Sequence, residues 1–268
     1  MPMAKQRLVT LLTDFGTRDP YVAAMKGVIL SACPHAQVVD ISHDIPPQDV
    51  LAAAVVLAQA TRYFPPDTLH VVVVDPSVGT NRRILAGRFG GQVFLFPDNG
   101  VITFVAESTP AEALVSVSNT TYLPPRPPSM TFHGRDIFAP VAGHILNGVP
   151  LSRLGPQPQK YELLDIPAPA ERQGGLVGEV IYVDRFGNMV SNVSDEALGR
   201  WCKDPAAVRV VCAGRNVGPL QGTYAFAGVG EPLALFNSMG LLEVAVNRGR
   251  ACDVLRAGVG CEVRLLQV

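Results

Sequence analysis

Hydrophobic and polar positions in the first half of the chain fall into alternating blocks. Short apolar runs such as Leu8–Leu12 and Leu69–Val74 are separated by stretches in which apolar residues recur at helical spacing, as between Tyr21 and Ala32. Runs that are apolar at nearly every position are typical of strands buried on both faces, and helical spacing predicts helices that cover a sheet. The pattern therefore predicts an α/β domain with a mostly parallel sheet flanked by helices.

Individual elements follow from the same pattern. Asp19 and Pro20 predict a helix start with an acidic N-cap, and Pro34 ends that helix. The predicted strands are Leu8–Leu12, Val38–Ile41, Leu69–Val74 and Val93–Phe96, and further helices are predicted over residues 49–63 and 135–146.

The pattern changes in the second half of the chain. Residues 154–175 are rich in proline and glycine, so no regular element is expected there. Beyond them, "GEVIYVDRFGNMVSNV" and "PLALFNSMGLLEVAV" predict hairpins, and "VRVVCAG" and "CEVRLLQV" predict two more strands. We expect an N-terminal α/β domain over residues 1–160, a linker over 161–175, and a C-terminal antiparallel sandwich or barrel over 176–268.

Acidic residues follow three of the predicted strands. Asp14 ends the first strand, Asp75 the third and Asp98 the fourth. Ligands of open parallel sheets bind outside the carboxyl ends of the strands, so these residues mark a candidate ligand site. In "VVVVDPSVGTNRR" the turn after Asp75 also brings back Arg82, which can hold the carboxylate ionised and oriented. An ion pair that only staples the loop is the alternative.

Other polar residues are further candidates for chemistry. His133 lies just before a predicted helix, whose positive end favours a neutral imidazole that can accept a proton or position a water. Asp14 could bind two ribose hydroxyls or the backbone of its own turn. Asn188 in "FGN" could recognise an adenine edge or simply form a hairpin turn. The residues alone leave these alternatives open.

Composition narrows the classes of function. Of 268 residues 48% are hydrophobic and 17% charged, the formal net charge is -1, and no basic stripe indicates nucleic acid. Five cysteines without a C-x-x-C pair argue against a disulfide framework and a zinc knuckle.

The start of the chain does not resemble a signal peptide, and the longest apolar run, Val50–Ala58, is too short to cross a membrane. We therefore expect a cytoplasmic protein. Dinucleotide, P-loop and serine-hydrolase motifs are missing from the sequence.

A family resemblance is carried by segments in order along the chain, namely "LLTDFGTRDPYVAAMKG", "VVDISHDIPPQDV", "VVVVDPSVGTNRR", "FPDNGV", "TFHGRDIFAP", "VDRFGNMVSN" and "LFNSMGLLEVAVN". Together they resemble the S-adenosyl-L-methionine (SAM) hydrolases, also called SAM hydroxide adenosyltransferases, which are related to fluorinase and chlorinase. The resemblance spans nearly the whole chain and includes both halves.

The resemblance implies a fold, a reaction and an assembly. The fold is an α/β N-terminal domain with a β-barrel-like C-terminal domain. The reaction is the attack of an activated water on C5' of SAM, which gives adenosine and methionine; SAM is the substrate and no cofactor is expected. The assembly is a homotrimer, in which SAM lies between the N-terminal domain of one subunit and the C-terminal domain of the next.

The same resemblance assigns roles to individual residues. An Asp–Arg–His set that handles the water matches Asp75, Arg82 and His133. The substrate-binding positions match Asp14 at the ribose, Thr131 and Phe132 at the reacting centre, Asn188 at the adenine with Asp184 in the same segment, Tyr224 near the adenosine, and Ser238 near the methionine carboxylate.

Departures from the halogenating relatives favour water as the nucleophile. Those enzymes carry tyrosine where Asp75 stands, serine or glycine where Gly134 stands, and a long insertion where this chain has only residues 84–92. Met239 replaces a residue that is basic in the halogenases, which leaves the contacts to the methionine carboxylate open.

Alternative functions on the same residues are a halide transferase, a non-catalytic binder of SAM or adenosine, and a metal-dependent hydrolase that uses Asp14, Asp75 and His133. The other histidines lack metal-ligand spacing, so no metal is expected.

Overall fold

The chain folds into two compact units that divide between Leu164 and Asp165. The structure, a computed structural model, describes residues 7–124 and 126–268. In the first unit the strands and α-helices are β1 (Leu8–Thr13), α1 (Tyr21–Ala32), β2 (Gln37–Ser42), α2 (Val50–Thr61), β3 (Leu69–Val73), β4 (Ile84–Phe89), β5 (Gln92–Pro97), α3 (Thr103–Ser108), β6 (Ala111–Ser116) and α4 (Ala139–Leu146).

The first unit has one mixed sheet with the strand order β2-β1-β3-β5-β4-β6. The strands β2, β1, β3 and β5 are parallel to one another, and β4 is antiparallel to both β5 and β6. The predicted α/β class is confirmed, and residues 84–92, for which no element was predicted, contain the strand β4. Residues Gly90 and Gly91, with φ of 55° and 74°, form a two-residue turn that pairs β4 with β5. Such a turn needs residues that tolerate positive φ, which is why two glycines stand there.

The core of the first unit lies between this sheet and its helices. Its fully or almost fully buried side chains include Val9, Leu11, Met25, Ile29, Val71, Leu95 and Phe138. The helices α1 and α4 approach each other closely at Gly143. A Cβ added to this glycine would lie only 2.5 Å from the Cβ of Ala32. The sheet edge that carries Asp14 and Asp75 therefore stands on a tightly packed base.

Two helices differ from their prediction at the amino end. The helix α1 begins at Tyr21, and its N-cap is Pro20, which makes no side-chain hydrogen bond to the helix, so the prediction of Asp19 as the cap is wrong. The helix predicted over 135–146 begins with one turn of π-helix, Gly134–Phe138, before α4. Turns of π-helix are rare and are found frequently at functional sites.

The second unit is built mainly of strands. Its elements are β7 (Ala170–Arg172), β8 (Gly175–Val183), β9 (Met189–Ser194), α5 (Asp195–Trp201), β10 (Val208–Cys212), β11 (Arg215–Pro219), β12 (Pro232–Phe236), β13 (Leu241–Val246), α6 (Ala251–Leu255) and β14 (Glu262–Gln267). The two hairpins predicted from the sequence are present as β8–β9 and β12–β13.

The strands of the second unit form a nearly closed antiparallel sheet. Their order is β11-β10-β14-β8-β9-β13-β12, with β7 paired to β8. Leu220, just after β11, forms a bridge with Ala234 of β12, so the two ends of the sheet meet. The predicted barrel-like class is thereby confirmed, because an open sandwich would leave these two ends apart. No helix in the described ranges has both the length and the apolar character that a membrane crossing requires.

The segment predicted as a linker, residues 161–175, contains one regular element. The short strand β7 lies within it and pairs with β8, so the expectation that no regular element forms there is wrong at this point. The proposed domain limits of 1–160 and 176–268 stay a prediction.

Leu11→Ala tests the packing of the base under the site. Leu11 on β1 is wholly buried, so we expect the free energy of unfolding to fall by about 2–5 kcal/mol. Leu30→Ala on α1 is the matched control, because Leu30 is 40% exposed and should cost much less. Denaturant titration of both variants measures the difference, and equal losses would contradict the described core.

Candidate active site

A buried network of Asp75, Arg82 and His133 lies at the carboxyl end of β3. The side chains of Asp75 and Arg82 are only 4% and 9% exposed. Arg82 Nε donates to Asp75 Oδ1 and Oδ2 at 3.0 and 2.8 Å, and Arg82 Nη2 also donates to Oδ2. The same Nη2 lies 2.7 Å from Nδ1 of His133. The structure therefore brings together all three residues that the sequence assigned to the handling of water.

The contact with Arg82 fixes the protonation of His133. A guanidinium can only donate hydrogen bonds, so His133 Nδ1 must accept, and the proton of the neutral ring lies on Nε2. Burial lowers the pKa of His133, the charge of Arg82 lowers it further, and the carboxylates of Asp75 and Asp136 oppose the shift. The ring is therefore a neutral hydrogen-bond donor at neutral pH.

Gly79 lets the loop after Asp75 approach the segment that carries His133. Its φ is +80°, and an added Cβ would lie 2.3 Å from the carbonyl oxygen of Met130. No other residue type fits that approach without a backbone shift. In the sequence the only signal for this role is a glycine inside the polar cluster.

The residues beside His133 form an aromatic wall. The ring of Phe132 packs edge-on against Tyr21 and Phe15, with centroid distances of 5.2 and 5.9 Å. The guanidinium of Arg135 lies over the same ring, 5.0 Å from its centroid. Thr131 is exposed, and its hydroxyl lies 3.1 Å from that of Ser129. These residues leave a hydroxyl group and an apolar ring next to the network.

Asp14 lies at the same sheet edge as Asp75. The strands β1 and β3 are parallel with Thr13 opposite Val73, so the residues that follow them emerge side by side. Asp14 Oδ2 accepts a hydrogen bond of 2.8 Å from the backbone N–H of Gln48 rather than from its own turn. Among the described residues Oδ1 accepts no hydrogen bond, which leaves that oxygen able to accept from a ligand.

Asp98, the third of the strand-end acids, has a different environment. Its Oδ2 pairs with Arg83 through two hydrogen bonds, and its Oδ1 accepts from the backbone N–H of Glu162. Both oxygens are thus engaged in holding the end of the first unit. Asp98 therefore has a structural role and does not belong to the Asp75–Arg82–His133 network.

The second unit contains a separate group of candidate residues in the turn between β8 and β9. Asn188 donates to Asp184 through its backbone N–H at 2.8 Å and through Nδ2 at 3.1 Å. Gly187 has a φ of +82°, and an added Cβ would lie 2.7 Å from the Cβ of Arg250. Asn188 therefore belongs to a tight hairpin turn, as one alternative predicted, and its amide is also held in a fixed orientation.

Tyr224 and Ser238 lie on two other segments of the second unit. Tyr224 donates a hydrogen bond of 2.7 Å from its hydroxyl to Oε1 of Glu243. Ser238 is exposed in the turn between β12 and β13, where Asn237 Oδ1 accepts from the backbone N–H of Met239. Glu243 is not among the residues predicted from the sequence, because a lone acid within an apolar strand carries no motif signal.

The described ranges contain no cluster of three or more histidine, cysteine or carboxylate side chains that could hold a metal ion. Asp14, Asp75 and His133 therefore do not form a ready ligand set. Arg82 occupies Nδ1 of His133 instead.

Comparison with known proteins places both units in one family. Residues 9–155 match the SAM hydroxide adenosyltransferase N-terminal domain, and residues 178–264 match the C-terminal domain of the same family. The chain belongs to the SAM hydroxide adenosyltransferase family, which confirms the resemblance found in the sequence.

Individual relatives agree with this membership. The chain is 38% identical to (R)-S-adenosyl-L-methionine hydrolase of Thermus thermophilus, with 97% of this chain and 100% of that protein covered. It is 30% identical to a fluorinase of Actinoplanes sp., with 92% and 93% covered. The crystal structure of an uncharacterized conserved protein from Thermotoga maritima has a TM-score of 0.89 and 37% identity, with 97% and 100% covered.

The titration of His133 tests the network directly. We expect NMR titration to give a pKa below the usual 6.5, because burial and Arg82 both disfavour the imidazolium. Arg82→Gln should raise that pKa, since it removes a cation and leaves the carboxylate of Asp75 unpaired. Arg62→Gln is the control. Arg62 is an exposed arginine that comes before the amino end of β3, whereas Asp75 follows the carboxyl end of the same strand. An unchanged His133 pKa in Arg82→Gln would contradict the described contact.

Proposed function

We propose that this protein hydrolyses S-adenosyl-L-methionine to adenosine and L-methionine. The observation that carries the proposal is the Asp75–Arg82–His133 network, at the sheet edge of a chain that belongs to the SAM hydroxide adenosyltransferase family. Three relatives named (R)-S-adenosyl-L-methionine hydrolase cover 97–98% of the chain at 38% identity, whereas the fluorinase of Actinoplanes sp. is 30% identical.

In the proposed reaction a water oxygen attacks C5' and the C5'–S bond breaks. Its electron pair passes to sulfur, which neutralises the sulfonium and gives the thioether of methionine. The leaving group needs no protonation, so the protein has to position and deprotonate the water. Asp75, whose Oδ1 receives only one hydrogen bond from Arg82, accepts the proton that the water loses.

His133 positions the water in this proposal. Its Nδ1 lone pair is engaged by Arg82, so the ring offers its Nε2–H to one lone pair of the water oxygen while the other attacks carbon. Of the two roles that the sequence allowed, accepting a proton or positioning water, the contact with Arg82 favours the second. Arg82 acts on both partners, because it orients Asp75 and holds His133 neutral.

The substrate is proposed to contact both sets of candidate residues. Asp14, with Oδ1 available, binds the ribose hydroxyls, and Thr131 and Phe132 line the reacting centre. The second unit contributes Asn188 and Asp184 at the adenine side, Tyr224 near the adenosine and Ser238 near the methionine carboxylate. We propose a homotrimer in which the two sets come from adjacent subunits. A cytoplasmic location fits the five cysteines, all of them free.

Water is proposed as the nucleophile because Asp75 can take its proton. A water that attacks carbon has to lose a proton, which a carboxylate accepts, whereas a halide ion has no proton to lose and needs no such group. The relatives' name also specifies the (R) form of SAM, in which the configuration at sulfur differs from the (S) form. We extend this preference to the present chain.

Product analysis tests the function. The purified protein is incubated with each sulfonium form of SAM in water labelled with heavy oxygen, with and without chloride, and with a chelator. We expect labelled adenosine and methionine, faster from the (R) form, with no effect of chloride or chelator. A chlorinated nucleoside would indicate a halide transferase, loss of activity with chelator a metal enzyme, and binding without turnover a SAM or adenosine binder.

Asp75→Asn tests the assignment of the proton acceptor. The amide keeps the shape but accepts protons poorly, so we expect kcat to fall by about a hundredfold or more with little change in the Kd of SAM. Asp67→Asn is the matched control. Asp67 is also ion-paired to an arginine, but it is exposed and lies before the amino end of β3, whereas Asp75 follows the carboxyl end. If Asp75→Asn retains near-normal turnover, another group accepts the proton.

A further inference from the structure

Glu243 is a buried carboxylate that the proposed reaction does not use. It lies in the middle of β13, opposite Leu235 of β12 and Val190 of β9, and is only 4% exposed. Its strand neighbours Leu242 and Val244 are apolar and wholly buried. In the described part of the chain Glu243 has no ion pair with lysine or arginine. Burial raises its pKa, the hydrogen bonds from Tyr224 and Asn237 oppose that rise, and the charge of Asp184 adds to it.

The two oxygens of Glu243 hold two different segments. Oε1 accepts a hydrogen bond of 2.7 Å from the hydroxyl of Tyr224, and Oε2 accepts one of 3.3 Å from Nδ2 of Asn237. Tyr224 begins a short helical turn between β11 and β12, and Asn237 follows β12. One side chain therefore ties the position of Tyr224 to the position of the β12–β13 turn.

Asn237 passes this constraint on to the turn itself. Its Oδ1 accepts from the backbone N–H groups of Met239 and Leu241 at 3.0 and 3.3 Å, which leaves Nδ2 for Glu243. Ser238 lies inside this turn, between Asn237 and Met239. The orientation of the Asn237 amide thus determines where Ser238 is presented, and Glu243 determines the orientation of the amide.

We propose that Glu243 is a positioning residue for substrate binding, which holds Tyr224 and the turn of Ser238 in one fixed relation. The inference rests on the proposed function, which assigns Tyr224 to the adenosine and Ser238 to the methionine carboxylate of SAM. Glu243 itself does not touch the substrate. It couples the residues that contact two separate parts of the molecule.

Stability alone does not explain this carboxylate. A charge buried among neutral partners carries a desolvation penalty, and apolar residues at such positions are often as stabilising or more so. An amide would fit the space, but Tyr224 and Asn237 donate to two different oxygens, and an amide would present its NH2 group to one of them. A carboxylate is the side chain that satisfies both donors at once.

Steady-state kinetics of Glu243→Gln test the proposal. We expect the KM for SAM to rise by about tenfold or more, because one of the two donors loses its charged partner, while kcat stays within about threefold. The dissociation constant of adenosine, measured by calorimetry, should rise in the same variant. Glu262→Gln is the matched control, because Glu262 on β14 is a 55% exposed glutamate and should leave both constants unchanged.

A double mutant separates positioning from a general structural effect. Tyr224→Phe removes the hydroxyl that Glu243 holds, so Glu243→Gln combined with Tyr224→Phe should weaken SAM binding by less than the product of the single effects. Independent, multiplicative effects would overturn the coupling.

The remaining outcomes distinguish this inference from the proposed function. KM does not depend on the amount of active enzyme, so a variant that is partly unfolded still gives a decisive value. A KM for Glu243→Gln within twofold of the wild type overturns the inference alone. Absence of SAM turnover in the wild type overturns the proposed function, and the inference with it.

Discussion

The buried guanidinium of Arg82 is the interaction on which the rest of the first unit's site depends. It donates to the carboxylate of Asp75 and to Nδ1 of His133 at the same time. Because a guanidinium can only donate, both partner atoms must be acceptors, and one cation thereby orients the carboxylate of Asp75 and sets the tautomer of His133. The strand end after β3, the loop through Gly79 and the π-helical turn after His133 all serve to bring these atoms within hydrogen-bond distance.

Burial makes this network cooperative. Removing Asp75 and Arg82 from water carries a desolvation cost, which their mutual attraction offsets only while both are present and hydrogen-bonded. Loss of any member therefore leaves the others in a buried site without a partner. The arrangement needs a rigid base, which the parallel register of β1 and β3 and the close approach of α1 to α4 supply. A mobile loop alone could not hold a buried charge in this geometry.

The sequence predicts the elements that depend on local patterns and misses those that depend on long-range contacts. Asp14 and Asp75 could be placed at one sheet edge, because apolar runs predict parallel strands and strand ends carry ligands. The contact of Arg82 with His133 spans 51 residues, and no spacing rule predicts it or the tautomer it imposes. The strand β4 is not among the predicted elements, although the Gly90-Gly91 pair that connects it to β5 is a turn signal in the sequence.

Two buried carboxylates illustrate how the partner determines the use of a charge. Asp75 faces a guanidinium, so its charge is compensated and its remaining acceptor capacity is available to a reacting water. Glu243 faces only a hydroxyl and an amide, whose hydrogen bonds oppose but do not cancel the rise in its pKa that burial causes. Each of its oxygens is engaged by one neutral donor, so its geometry serves to fix the two donors in place. Folding alone would favour apolar residues at both positions, so the presence of two acids there points to demands beyond stability.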